Sequence, residues 1–284
     1  MRFICLIVVF SLVACKKQKK PEQQDCASND FNISLDTATT PNWEYDFELG
    51  WNATHGVGNL DNMNPAAPEW RYAQMQTQDA GKTMEDPLNS GNQVMRFLWI
   101  EGEGTEYNSN TQKKAHLYGD FGTDNTQEEI WSFDIYFPSV GMESDSESEI
   151  VVQWHGHPDG CETSRNPPVA IDNKDDRLTL TWRFDDRDCT PAGFKKWYER
   201  TADLGETTKD QWINFVVYIK WDPFGCGAIH LWRDGNKLVE ENGIHIGFND
   251  EVGAYLGFGI YKYTKESDHQ QRVVYFDNMK QWIL

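Results

Sequence analysis

The sequence predicts an all-β fold, a sandwich of two antiparallel sheets packed face to face. Three observations predict it. Runs rich in Val, Ile, Phe, Tyr and Trp recur along the chain with turn residues between them. Within those runs apolar and polar side chains alternate, so each strand has one apolar face to bury. Helical periodicity is nearly absent; Lys195–Leu204 is the stretch that reads as a turn or two of helix. The 12 Trp, 11 Tyr and 15 Phe among 284 residues supply ample core surface and exclude disorder over most of the chain.

Met1–Cys15 reads as an export signal. Arg2 is its positive start, and the apolar run that follows is shorter than the ~20 residues a spanning helix needs. Its ending, Leu12-Val13-Ala14-Cys15, resembles the lipobox of bacterial lipoproteins, which implies lipidation at Cys15. Residues 16–40 are polar and read as a flexible tether. Residues 41–284 read as one domain, with no internal repeat and no second linker. Its expected strands are Gln93–Glu101, Lys114–Tyr118, Ile130–Phe137, Ser148–His155, Ala170–Ile171, Arg177–Asp185, Gln211–Trp221, Gly227–Arg233, Lys237–Glu240, Ala254–Tyr263 and Val273–Ile283. In Arg177–Asp185 the alternation puts Leu178, Leu180, Trp182 and Phe184 on one face. Asp234-Gly235 between two strands is a strong hairpin signal.

The formal charge of −19 argues against a nucleic-acid binder working through a broad basic surface; an acidic ligand needs a local basic patch. Of six Cys, Cys5 belongs to the signal and Cys15 to the lipid. Cys161 and Cys189 lie in polar loop-like sequence, and a disulfide between them suits an oxidising compartment. The expected location is extracytoplasmic, membrane-attached by lipid alone, and the expected state is a monomer.

Three clusters carry chemistry. Gln153-Trp154-His155-Gly156 closes a strand: Val152 and Trp154 face the core, while Gln153 and His155 line the opposite surface. His157 follows, and His-x-His is a weak metal signal. His155 can equally be a satisfied structural histidine or a solvent-facing one. Tyr255-Leu256-Gly257-Phe258-Gly259-Ile260-Tyr261 puts Tyr255, Gly257, Gly259 and Tyr261 on one face, and two Gly in a strand indicate close approach by a ligand or another backbone. Lys114, His116 and Tyr118 share a face, which in an acidic chain is either a cationic patch or a solvated edge strand. The run Glu143–Glu149 reads as a solvated acidic loop. The Asp185–Asp188 cluster leaves a structural calcium open, and no cofactor is required.

These clusters, in this order, resemble polysaccharide lyases related to heparin lyase I and glucuronan lyase. The resemblance rests on Gln153-Trp154-His155-Gly156, the Gly227–Gly235 hairpin, Gly259-Ile260-Tyr261 and Phe276-Asp277-Asn278. It implies a β-jelly roll with a groove on its concave sheet and β-elimination of an anionic uronic-acid polysaccharide. It implies His155 and Tyr261 as the base and acid pair, in either order, with Lys114, His116, Gln153, His157, Lys262 and Lys265 around the substrate. Two departures stand out. Lys-Ala-His occupies 114–116 where the family has an Arg-containing strand, and Gly257 stands where heparin lyases have Lys. Lys262 or Lys265 is expected to supply that charge. No concentrated basic segment meets heparin's sulfates. The competing readings are a non-catalytic carbohydrate-binding lipoprotein and a laminarinase-like hydrolase, whose paired-carboxylate motif is absent.

Overall fold

A computed structural model describes residues 40–48, 58–59, 70–104, 111–119, 128–190 and 198–284. The expected signal peptide, with Cys15, and the expected tether up to residue 39 lie outside the described residues. The described residues form sixteen strands: β1 Trp43–Tyr45, β2 Gly58–Asn59, β3 Trp70–Gln74, β4 Gly81–Glu85, β5 Gln93–Ile100, β6 Lys114–Gly119, β7 Glu128–Tyr136, β8 Glu149–His155, β9 Val169–Lys174, β10 Arg177–Asp185, β11 Tyr198–Glu206, β12 Trp212–Lys220, β13 Asp222–Arg233, β14 Asn236–Phe248, β15 Tyr255–Tyr261 and β16 Gln271–Ile283. A 3-10 turn, Thr111–Lys113, precedes β6.

They form the two packed layers of a jelly roll. One sheet runs β4-β5-β16-β7-β12-β13-β14, with β1 added to β16; the other runs β2-β3-β6-β15-β8-β9-β10, with β11 added to β10. The end of β14 crosses over to pair in parallel with β10, which joins the sheets. Between them lies a continuous apolar core. Phe258 of β15 packs against Phe97 of β5 and Phe276 of β16, with ring centroids 5.4 and 5.1 Å away. Trp99, Trp131 and Trp154 are fully enclosed there. Asp234 and Gly235, both at positive φ, make the β13–β14 hairpin turn the sequence signals.

Two expectations are corrected. The helical reading of Lys195–Leu204 fails over its described part, residues 198–204: β11 pairs antiparallel along β10, from Phe184↔Tyr198 to Arg177↔Glu206. An edge strand dotted with exposed charge hides its period-two pattern. The run Glu143–Glu149 is not a solvated loop, because Asp145 and Glu149 are buried. Lys262 Nζ donates to Asp145 Oδ2 at 2.9 Å. Arg272 donates to both oxygens of Glu149 at 2.7 and 3.0 Å and reaches Asp145 at 3.6 Å. Asn173 also donates to Glu149. Burial pushes the Asp145 carboxyl up, but hydrogen bonds from Ser267, Lys262 and the Glu147 amide outweigh it and hold it at about 2.

A β-bulge sits beside this network. Val152 pairs with Ile171, yet Ile150 pairs with the next residue, Asp172. The extra residue lets both Val151 and Val152 enter the core and turns Ile150 to the outer face.

Arg272→Met is expected to cost ~3–5 kcal/mol in denaturant unfolding, since it leaves two buried carboxylates short of their cation. A loss under ~1 kcal/mol, the range of exposed pairs, would mean the network carries little.

Candidate active site

The outer face of the second sheet carries a cavity of ≈ 520 Å³. Five adjacent strands line it. β6 contributes Lys114, β15 Tyr261, β8 Ile150 and His155, β9 Asp172, and β10 Arg183. Ser148, Tyr263 and the loop residues Ser164–Pro167 complete the wall.

His155 and Tyr261 therefore share one cavity, but they are not cross-strand neighbours. Tyr255 pairs with His155, and Tyr261 pairs with Ile150 further along β8. The two groups thus stand at different levels along the strands. The ring nearest His155 on β15 is that of Tyr255, 5.5 Å between centroids.

The state of His155 follows from its contacts. Its Nδ1 lies 2.8 Å from the Gly156 carbonyl oxygen. A carbonyl only accepts, so Nδ1 carries the proton and Nε2 the free lone pair. Burial is the main force lowering its pKa to about 4, with Lys114, His157 and Arg165 adding to it. The ring is thus neutral at physiological pH. Tyr261 is shifted the other way: burial pushes its phenol up to about 12, which keeps it protonated. Lys114 holds its ammonium 4.4 Å from the centre of the Tyr261 ring and donates to the Tyr118 hydroxyl at 2.8 Å. Burial, then Lys113, lowers Lys114 to about 8.

The other expected residues divide. Gln153 is buried below the cavity wall, its amide nitrogen donating to the Tyr118 hydroxyl at 3.3 Å. His157 is exposed, its ring 4.6 Å from Tyr255. His116 is not an accessible contact: it is fully buried against Tyr118, 4.7 Å between ring centroids. Gly257 explains that packing, because a Cβ there would sit 2.7 Å from the His116 ring and 2.6 Å from that of Tyr118. The close approach at both glycines is made by the protein itself. At Gly259, with φ 129°, a Cβ would meet the Ala115 carbonyl at 2.2 Å. Lys262 is the clearest correction. One residue past Tyr261, it points to the opposite side of the sheet and is consumed by Asp145. Lys265 is bonded to Gln112 and does not line the cavity. Cys161 and Cys189 are disulfide-bonded, with Cα atoms 6.0 Å apart.

Three residues went unnoticed in the sequence. Arg183 lies on the polar phase of β10, whose core-facing phase holds Leu178, Leu180 and Trp182, with Phe184 half-buried against His245. Asp172 belongs to a strand read as two residues long. Arg165 lies in a loop, where no periodicity exists to place it. Its guanidinium bonds Asp250 at 2.5 Å and Glu162 at 2.9 Å. Those two acids and Asp159 bring carboxylate oxygens within 4.8 Å of one another, and Arg165 supplies positive charge there. Asp185 of the other acidic cluster is engaged by Arg187 and Thr190.

A family model described as polysaccharide lyase matches residues 62–280. The chain belongs to this polysaccharide lyase family. Endo-β-1,4-glucuronan lyase from the fungus Trichoderma reesei is similar in structure at 17% identity, with a TM-score of 0.64 over 86% of this chain and 95% of that one. The marine PL-14 alginate lyase from Aplysia kurodai matches at 13% identity, TM-score 0.52, over 87% and 100%. Family 7 alginate lyase A1-II′ in complex with substrate matches at 14%, TM-score 0.50, over 73% and 82%. At such identities the likeness establishes the shared jelly-roll fold. No curated protein matches the sequence.

The lyase should lose kcat/KM as pH rises through about 8, where Lys114 gives up its charge. Lys114→Arg should remove that limb, because a guanidinium stays charged. An unchanged limb in the variant would assign it to another group.

Proposed function

We propose that this lyase cleaves an anionic, uronic-acid-containing polysaccharide by β-elimination, with His155 as base and Tyr261 as acid. It acts outside the cytoplasm as a monomer held to a membrane by a lipid on Cys15. One observation carries the chemical reading: a single cavity holds an imidazole with a free Nε2 and a phenol kept protonated. A base and an acid in those states suit an elimination.

The proton on C5 of a uronate is α to a carboxylate and is weakly acidic until the developing charge is stabilised. In this reading Lys114 lies against the uronate carboxylate and neutralises it. His155 Nε2 takes the C5 proton. The C5 electron pair becomes the C4–C5 double bond as the C4–O4 bond breaks, and the Tyr261 hydroxyl gives its proton to O4. The products are an unsaturated uronide and a new hydroxyl-bearing chain end. Solvent returns the proton from imidazolium to phenolate. Support for the roles comes from protonation: a phenol raised to about 12 stays protonated at neutral pH and so has a proton to give. Support for the compartment comes from the Cys161–Cys189 disulfide.

Purified mature protein mixed with glucuronan, alginate, ulvan or a glycosaminoglycan should release the ultraviolet-absorbing unsaturated product from at least one. His155→Ala and Tyr261→Phe should each lower that rate by ~10²–10⁴-fold while remaining folded. Wild-type rates in both variants would remove these residues from the chemistry.

A further inference from the structure

We infer that the cavity is charge-polarised, and that Asp172 makes the lyase select an uncharged sugar beside the uronate it cuts. This rests on the elimination reading above and deepens it.

The strand register carries the argument. Lys114, Tyr261, Ile150 and Asp172 are successive cross-strand partners on β6, β15, β8 and β9. They form one row across the sheet, perpendicular to the strands. Neighbouring strands lie ~4.8 Å apart, so Lys114 is one spacing from Tyr261 and Asp172 is two spacings, ~10 Å, on the other side. A polymer laid across these strands, with a uronate between His155 and Tyr261, has the ammonium on one flank and the carboxylate beside its next unit.

Charge is distributed accordingly. At the β6–β15 end stands Lys114, with Lys113 4.6 Å over the Tyr263 ring. Among the described residues lining the cavity, Asp172 is the single carboxylate. The two guanidinium groups at its end are already matched. Arg183 binds Glu199 at 2.6 Å and the Pro167 carbonyl at 2.8 Å, and Arg165 binds Asp250 and Glu162. Asp172 forms no ion pair with a described residue, although the nearby Arg183 charge holds its carboxyl lower than burial alone would.

Its hydrogen bonding is incomplete in a useful way. Oδ2 accepts from the Thr181 hydroxyl at 3.3 Å. Oδ1 accepts from no described residue and is available to a sugar hydroxyl, which can donate. Burial pushes the carboxyl up to about 6, and it is still ionised at neutral pH. A second carboxylate or a sulfate arriving there brings like charge into a partly dehydrated wall, so rejection of that group comes with acceptance of the hydroxyl.

The test compares kcat/KM on glucuronan, in which every unit is charged, with that on a polymer of glucuronate alternating with a neutral sugar. The wild type should favour the alternating polymer by ~10-fold or more, and Asp172→Asn should shrink that ratio by a similar factor, mainly through gain on glucuronan. Equal wild-type rates, or a ratio unmoved in the variant, would overturn the role of Asp172 and leave the elimination reading intact. Cleavage of no uronate polymer would overturn the elimination reading itself. Independently of any variant, the wild type acting on a random copolymer should produce ends in which one side of the cut is a neutral sugar. Ends of random composition, read by mass spectrometry, would also overturn the proposal.

Discussion

The buried ion network of Asp145, Lys262, Arg272 and Glu149 is the constraint on which the site depends. Taking charges out of water costs several kcal/mol per ion, so such a network persists only when each member has several partners. Here they do. Glu149 accepts two bonds from Arg272 and one from Asn173, and Asp145 accepts from Lys262, Ser267 and the Glu147 amide. The network ties the start of β8 to the end of β15 and the start of β16. Tyr261 immediately precedes Lys262, and Ser148 and Ile150 flank Glu149. The ions behind the sheet thereby fix which side chains stand in front of it.

The active face inherits its electrostatics from this arrangement. Lys262, the nearest cation to Tyr261 in sequence, is spent on the buried side, so the cavity's cation comes from the neighbouring strand as Lys114. Held by the Tyr118 hydroxyl over the Tyr261 ring, Lys114 has no carboxylate partner on its own side among the described residues of the cavity wall. An anionic ligand can supply one. The neutral imidazole and the protonated phenol follow from the same cause, burial, acting with opposite sign on a base and an acid.

Much of this was legible from alternation alone. β10 begins and ends where its pattern says, and Trp154 inside with His155 outside follows from period two. The same rule applied to Tyr261 already puts Lys262 on the far side; composition near the motif suggested a substrate contact, and geometry denies it. What could not be read has physical reasons. The acidic run 143–149 has the composition of a solvated loop, and only tertiary contact with Lys262 and Arg272 makes it interior. The bulge at Val151 and Val152 breaks the alternation that would have put Val151 on the cavity face. Arg165 acquires its place from a loop, and β11 is an edge strand whose charges mask its pattern.

The most direct measurement is a crystal structure of Tyr261→Phe soaked with a short oligouronate that the wild type cleaves. The account predicts one uronate between residues 155 and 261, its carboxylate within hydrogen-bond distance of Lys114 Nζ and its C5 hydrogen directed at His155 Nε2. A sugar chain seated elsewhere, or a uronate whose carboxylate turns toward Asp172 and Arg183, would contradict it.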